Sequence, residues 1–213
     1  GWALRAIGEV AEKLDAALVI LEADLLSRES EGRVEGLSPQ WLSLLLEPIR
    51  KEGIDIVFSS FHRHFLEASI SNHLTRPLLA SFYNFEIRDP LGGEIAVSSD
   101  FLKTYLTYLR ERRTWARATD IGHYGVDTWL LTTAITKRAN IAEAHLGVKL
   151  HRSSPGKEEL VLREQAKTIF QHVCLYPQHW EKGSQGLCHL TRFGLRKPHR
   201  PVEVRFDLPA HVT

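Results

Sequence analysis

Apolar residues recur along the first quarter of the chain with two alternating habits. Ala3, Ile7, Val10 and Leu14 fall at helical spacing and mark one stripe of an amphipathic helix. Residues 17–21 form a continuous apolar run that stops at Glu22-Ala23-Asp24, as expected of a strand covered on both faces. Ser38-Pro39 opens a second helix, with Ser38 as N-cap, Pro39 at the first helical position, and Trp41, Leu45 and Ile49 as the buried face. Gly53 ends that helix, and residues 54–58 read as another strand. Helix, strand, helix, strand predicts right-handed βαβ crossovers and a parallel sheet. A chain that enters on a helix also implies an earlier strand from which that helix returns.

The same reading predicts a helix over 65–83 kinked at Pro77, and a turn over 89–94 leading into a strand at 95–97. Helices follow over 101–112 and 124–137, separated by a short strand and loop at 115–120. Residues 141–150 are strand-like, and Leu162, Ala166, Ile169, Phe170 and Val173 carry a last amphipathic helix. Residues 1–175 thus form one α/β domain, a mostly parallel central sheet flanked by helices. Residues 176–213 read as a C-terminal extension, rich in Gly, Pro and Arg from Gly183 onward, with a final strand at 202–206.

Composition narrows the function classes. A chain of 213 residues, 43% hydrophobic, is large enough to bury a core without staples. Its 27 basic and 26 acidic side chains nearly cancel, so it lacks the basic excess of a nucleic-acid binder. No apolar run reaches the roughly 18–20 residues needed to span a bilayer. Charged Arg5, Glu9, Glu12 and Lys13 in the first helix argue against a signal peptide. Two widely spaced cysteines, Cys174 and Cys188, suit reduced thiols in a cytoplasmic protein. The sequence opens on Gly1-Trp2 and contains no Met, which points to a fragment or to methionines lost from the sequence.

Four segments carry candidate chemistry. In open α/β sheets ligands bind outside the carboxyl ends of the strands, where Glu22-Ala23-Asp24 falls. Two acidic side chains there can converge on Mg²⁺ or Mn²⁺, which take one or two carboxylates plus substrate phosphates. The plain alternative is a solvated loop. His151, with Arg152 beside it, ends the run Leu146-Gly147-Val148-Lys149-Leu150; a lone His there is more often structural than a ligand. The paired glycines of Asp89-Pro90-Leu91-Gly92-Gly93-Glu94 allow close backbone approach to a sugar or phosphate, or simply make a turn. Asp127, at the start of a helix, either complements the helix dipole or accepts hydrogen bonds from substrate hydroxyls.

The order of these segments is more specific than any one of them. Gly1-Trp2-Ala3-Leu4, Leu21-Glu22-Ala23-Asp24-Leu25, Thr75-Arg76-Pro77-Leu78-Leu79, Pro90-Leu91-Gly92-Gly93-Glu94, Tyr124-Gly125-Val126-Asp127 and Leu146 to Arg152 run collinearly. In them the sequence resembles the glucosyl-3-phosphoglycerate synthases and related GT-A glycosyltransferases of the mannosylglycerate type. The resemblance implies a Rossmann-like GT-A fold and a retaining, metal-dependent transfer of a sugar from a UDP- or GDP-sugar to a small hydroxyl acceptor. It implies Asp24 and His151 as ligands of Mg²⁺ or Mn²⁺, and Asp127 as the carboxylate that orients donor or acceptor. Leu91, Gly92 and Gly93 become the loop beside the reacting carbon, and Glu22, Ser69, Ser71 and Arg152 donor or acceptor contacts. A homodimer is compatible with it.

Departures accompany the likeness. Glu22 stands where the family has Asp, Asp127 where it has Glu, and Ala68-Ser69 where it has the Gly-Arg pair that grips phosphoglycerate. Serine cannot replace a bidentate guanidinium, so phosphoglycerate is not the expected acceptor. Nothing in the sequence matches the family's N-terminal nucleotide-binding strand, and residues 1–213 alone are expected to show no transferase activity. Two other readings remain open: a non-catalytic GT-A-like remnant or binding module, and a metal-dependent nucleotidyltransferase, which lacks support from any Gly-rich phosphate loop.

Overall fold

The computed structural model describes residues 1–30, 33–63, 68–111, 123–151, 156–180 and 190–194. Helix α1 (Trp2–Lys13) leads into the short strand β1 (Leu18–Ile20). A hairpin of β2 (Ser27–Ser30) and β3 (Arg33–Gly36) precedes α2 (Gln40–Glu52) and β4 (Ile56–His62). A π-helical turn (Ser71–Thr75) runs into α3 (Arg76–Tyr83), then β5 (Ile95–Val97) and α4 (Ser99–Glu111). Helix α5 (Val126–Thr136), β6 (Ile141–Val148), α6 (Glu158–Leu175), a 3₁₀ turn (Pro177–His179) and β7 (Leu190–Gly194) follow.

Local chemistry sets most of these boundaries. Ser38 Oγ accepts the Gln40 N–H at 3.3 Å, and Gly53 closes α2 in the left-handed conformation at φ 65°. The helix expected over 65–83 begins only at Ser69, after a left-handed Ala68; residues 65–67 lie outside the described residues. Pro77 falls in the first turn of α3, and the turn before it takes π spacing. Proline has no N–H to close the ladder there, so the preceding turn widens. The β2–β3 hairpin had no apolar alternation to announce it; Arg28 Nη2 donates to Glu35 Oε2 across it at 2.7 Å.

The central sheet has the order β1-β5-β4-β6-β7. Four strands point the same way, while β5 runs antiparallel to both β1 and β4. The helix-linked strands β1 and β4 are therefore not neighbours, as simple βαβ alternation predicts, because β5 lies between them. The larger core cluster packs Ile56, Phe58, Ile95 and Ile141 of the sheet against Leu79, Tyr83, Leu106, Trp129 and Ile169. A smaller one packs Val57, Phe61, Ala96 and Ala144 against Trp41 and Leu45 of α2. Trp129 is fully buried, and truncating such a side chain costs about 3–5 kcal/mol. The extension is not apart from the fold, since β7 is the fifth strand of the sheet. The strands expected at 115–120 and 202–206 lie outside the described residues.

Candidate functional site

Strand direction assembles the site. The carboxyl ends of β1, β4 and β6 fall along one edge of the sheet. Because β5 runs the other way, the loop that feeds it, 89–94, arrives at that same edge. Ile20 pairs with Ile95, so continuing the register two residues sets Glu22 opposite Gly93. A Cβ on Gly93 (φ +91°) would lie 2.5 Å from Glu22 Cδ and Oε1. A Cβ on Gly92 would lie 2.4 Å from Ser59 Oγ and 2.6 Å from the Ser59 carbonyl oxygen. Gly92 has no room for a side chain because the loop presses against the β4 backbone, and Gly93 is held by its left-handed φ beneath the Glu22 carboxylate.

Lys149 lies at the centre of this contact. Its side chain is only 3% exposed, and Nζ donates to the Gly92 carbonyl at 2.6 Å and to Glu94 Oε2 at 3.2 Å. Glu94 Oε1 lies 3.0 Å from the same ammonium, an ionic contact without hydrogen-bond geometry. Glu22 Oε2 completes the shell from the solvent side. Burial pushes the Glu94 carboxyl above the usual carboxylate range, and the Lys149 charge pulls it back. Glu94 also accepts the Ser59 hydroxyl at 3.3 Å.

The other end of the loop is held as firmly. Arg63 Nε donates to Asp89 Oδ2 at 2.7 Å, and Ser71 Oγ to Asp89 Oδ1 at 3.2 Å. Glu143 of β6 accepts the Arg88 N–H at 2.6 Å, the Asp89 N–H at 3.3 Å and Arg192 Nε at 3.2 Å. The glycine loop is therefore fixed before any ligand arrives.

The segments that carry Asp24 and His151 meet through their main chains, with Leu25 rather than Asp24 directly opposite His151. Leu25 forms an isolated antiparallel bridge with His151, and the Leu26 N–H donates to the Leu150 carbonyl at 2.8 Å. Asp24 is half-buried and His151 is exposed. Among the described residues no group of three or more His, Cys, Asp or Glu side chains converges on one metal position. A cation beside Asp24 and His151 would find these two side chains among the described residues and take phosphate and water besides, a donor set that fits Mg²⁺ or Mn²⁺.

Asp127 lies in the first turn of α5 and is partly buried. Burial, and then the charge of Glu22, push its pKa up to about 7, while the Gly1 amino group and Lys149 act the other way. Leu91, Gly92 and Gly93 lie on the pinned loop described above. Ser69 is exposed, just ahead of the π-helical turn, whereas Ser71 is buried and its hydroxyl serves Asp89. Arg152 lies outside the described residues. The groups that sequence reasoning left without a role are Lys149, Glu94 and Ser59. The available signal was a lysine and a glutamate ending otherwise apolar strand segments, where a charge needs a partner.

The architecture, a mostly parallel five-stranded sheet flanked by helices with its strand ends gathered at one edge, is that of the GT-A glycosyltransferase fold. Among solved structures the chain is similar to glucosyl-3-phosphoglycerate synthase from Mycobacterium tuberculosis in complex with phosphoglyceric acid, at 23% identity and a TM-score of 0.53. The same enzyme in complex with Mn²⁺, UDP-glucose and phosphoglyceric acid matches equally, covering 78% of this chain and 54% of that one. A further mycobacterial protein matches at 24% identity and a TM-score of 0.55, over 78% of this chain and 51% of that one. The chain spans about half the length of these structures. No family model matches it, and no curated protein does. Among the described residues no helix is long and apolar enough to cross a membrane, and Cys174 is an exposed free thiol.

Proposed function

We propose that the chain is the larger part of a metal-dependent glycosyltransferase that moves a sugar from a UDP- or GDP-sugar to a small hydroxyl acceptor. The observation that carries this reading is the Leu25–His151 bridge. It brings the segment after β1, with Asp24 one residue from the bridge, alongside His151 at the edge where the glycine loop also lies. Asp24 and His151 would hold Mg²⁺ or Mn²⁺, whose charge stabilises the departing nucleoside diphosphate. The residues of the chain do the rest by position. The Leu91-Gly92-Gly93 backbone, held by Lys149, forms a rigid wall for the sugar, and Asp127 accepts hydroxyl hydrogen bonds when ionised. Rate enhancement would come from orientation and fixed charge, without a covalent nucleophile.

Glu22 enters this reading as a loop contact and not as a metal ligand, because its carboxylate meets Lys149 and Gly93. The guanidinium that would grip phosphoglycerate is absent from Ala68-Ser69, so a neutral or differently charged acceptor fits better. The engagement of Glu22 also favours a second reading, a remnant that keeps the fold and binds without turnover.

Thermal unfolding with UDP or GDP, with and without Mn²⁺, tests the proposal. Stabilisation should require both nucleotide and metal and should vanish in Asp24→Ala and His151→Ala. Stabilisation indifferent to Mn²⁺ and to both substitutions would sink it. Metal-dependent binding without hydrolysis or transfer of a UDP- or GDP-sugar, on any hydroxyl acceptor, would favour the remnant.

A further inference from the structure

Helix α5, which carries Asp127, begins without a cap of its own. Gly125 holds the N-cap position and has no side chain to accept the orphan N–H groups of the first turn. The turn is held instead from α6. Glu164 and Gln165 of that helix are both buried, which is costly for polar groups unless hydrogen bonds compensate. Their hydrogen bonds fall on either side of Asp127. Glu164 Oε2 accepts the Tyr124 N–H at 2.8 Å. Gln165 Nε2 donates to the Tyr124 carbonyl, and Gln165 Oε1 accepts the hydroxyl of the fully buried Thr128.

We infer that Glu164 and Gln165 are positioning residues, a clamp from α6 that fixes where Asp127 stands. The inference rests on the role proposed above for Asp127 as acceptor of substrate hydroxyls. With Tyr124 and Thr128 anchored, Gly125-Val126-Asp127 is held between two fixed points. The first helical bond, from the Trp129 N–H to the Gly125 carbonyl at 3.0 Å, closes the same turn. Position 165 calls for an amide, because one end must donate and the other accept; a carboxylate only accepts. The helix dipole favours a carboxylate beside the start of α5, which accounts for Glu164 in a buried place.

The clamp sets Asp127 among groups of both signs. Burial, then Glu22 and Glu94, raise the proton affinity of its carboxyl, while the Gly1 amino group and Lys149 lower it. Burial, and then the Asp127 charge, push up the Tyr105 phenol of α4, whose hydroxyl has no partner among the described residues. Release of the turn would move the Asp127 carboxyl towards water, and its proton affinity would fall.

Carbon-13 NMR titration of the Asp127 carboxyl, assigned with Asp127→Asn and run without metal or nucleotide, tests the clamp. The unsubstituted chain should titrate at about 7. Gln165→Leu removes both bonds without changing charge and should lower the midpoint by about one pH unit or more, a roughly tenfold loss of proton affinity. Thr128→Val removes one bond and should act in the same direction by less. Glu164→Gln and Glu164→Leu lose the same charge, but only the leucine loses the acceptor, so its midpoint should be the lower. Ile169→Val, a core change on the same helix, should leave the midpoint in place. In the transferase reading, Gln165→Leu should keep stabilisation by UDP or GDP with Mn²⁺ and lose the increment supplied by an attached sugar, as Asp127→Ala does. Absence of any nucleotide effect in the unsubstituted chain would remove that reading, while the titration still decides the clamp. A Gln165→Leu midpoint no lower than that of Ile169→Val overturns the inference, as does an unsubstituted midpoint at the ordinary 3.8. Should Gln165→Leu not fold, Thr128→Val and the Glu164 pair decide by the same comparison.

Discussion

Glu22 faces Gly93 across the β1–β5 register with no room for a methyl group between them. The carboxylate lies over the glycine backbone and reaches Lys149 beyond it. One methylene more than aspartate gives it that reach. In this chain the Glu22 carboxylate thus fastens the glycine loop.

Gly93→Ala meets two obstacles, a left-handed φ and the Glu22 carboxylate. A cost of about 1–3 kcal/mol is expected, the usual range for a strained backbone position. Glu22 is 44% exposed, so Glu22→Ala alone should cost under about 1 kcal/mol. The double variant should recover part of the Gly93→Ala loss, because the colliding atoms are gone while the φ strain stays. Urea unfolding of the four proteins gives the coupling; strictly additive costs would show that the contact is absent.

Lys149→Met leaves Glu94 buried without its counter-charge. A loss of roughly 3–5 kcal/mol is expected at pH 8. It should shrink towards pH 5, where the isolated carboxyl takes up a proton, and most of it should return in Lys149→Met/Glu94→Gln. Equal losses at both pH values would mean that the lysine acts by packing alone.

Asp127 ionises at about 3.8 when unperturbed and at about 7 in the folded chain. The folded state holds the proton more tightly, so the stability tied to it is complete below pH 4 and is lost as pH rises through 7. Asp127→Asn should match the unsubstituted protein at pH 4 and exceed it at pH 8 by about 1–2 kcal/mol, after allowance for solvent contact. Denaturant curves at the two pH values decide it; a gap that does not grow with pH rejects the assignment.

Ala68 occupies a left-handed conformation, φ 55°. That strain costs roughly 1–2 kcal/mol for an L side chain, against about 0.4–1 kcal/mol of entropy that alanine saves in the unfolded chain. Ala68→Gly should therefore raise stability by about 0.5 kcal/mol. A lower urea midpoint in that variant would contradict the balance.

Much of the fold was legible because its signals are local. The stripe Ala3-Ile7-Val10-Leu14 and the Ser38-Pro39 start report nearest-neighbour chemistry, and α1 and α2 lie within a residue or two of the expected bounds. The place of β5 was not legible. Ile95-Ala96-Val97 reads as a strand, but its direction depends on β1 and β4, far away in sequence. The same holds at the site. Asp24, His151 and the paired glycines carried their own signal, whereas Lys149 gains its role only from partners at positions 22, 92 and 94. The Glu164 and Gln165 contacts with Tyr124 depend on the packing of α5 against α6, which no local pattern records.

The antiparallel insertion of β5 also dictates an order of assembly. As the chain leaves the ribosome, β1 and β4 both emerge before the strand that joins them. Neither can form its shared ladder until residue 97 has been made, so the early helix-strand-helix-strand segment carries open strand edges through that interval. Long-range closure of this kind slows folding and prolongs exposure of sticky edges. The three residues Ile95-Ala96-Val97 thus act as a keystone for one side of β4, and its other edge stays open until β6 has been made.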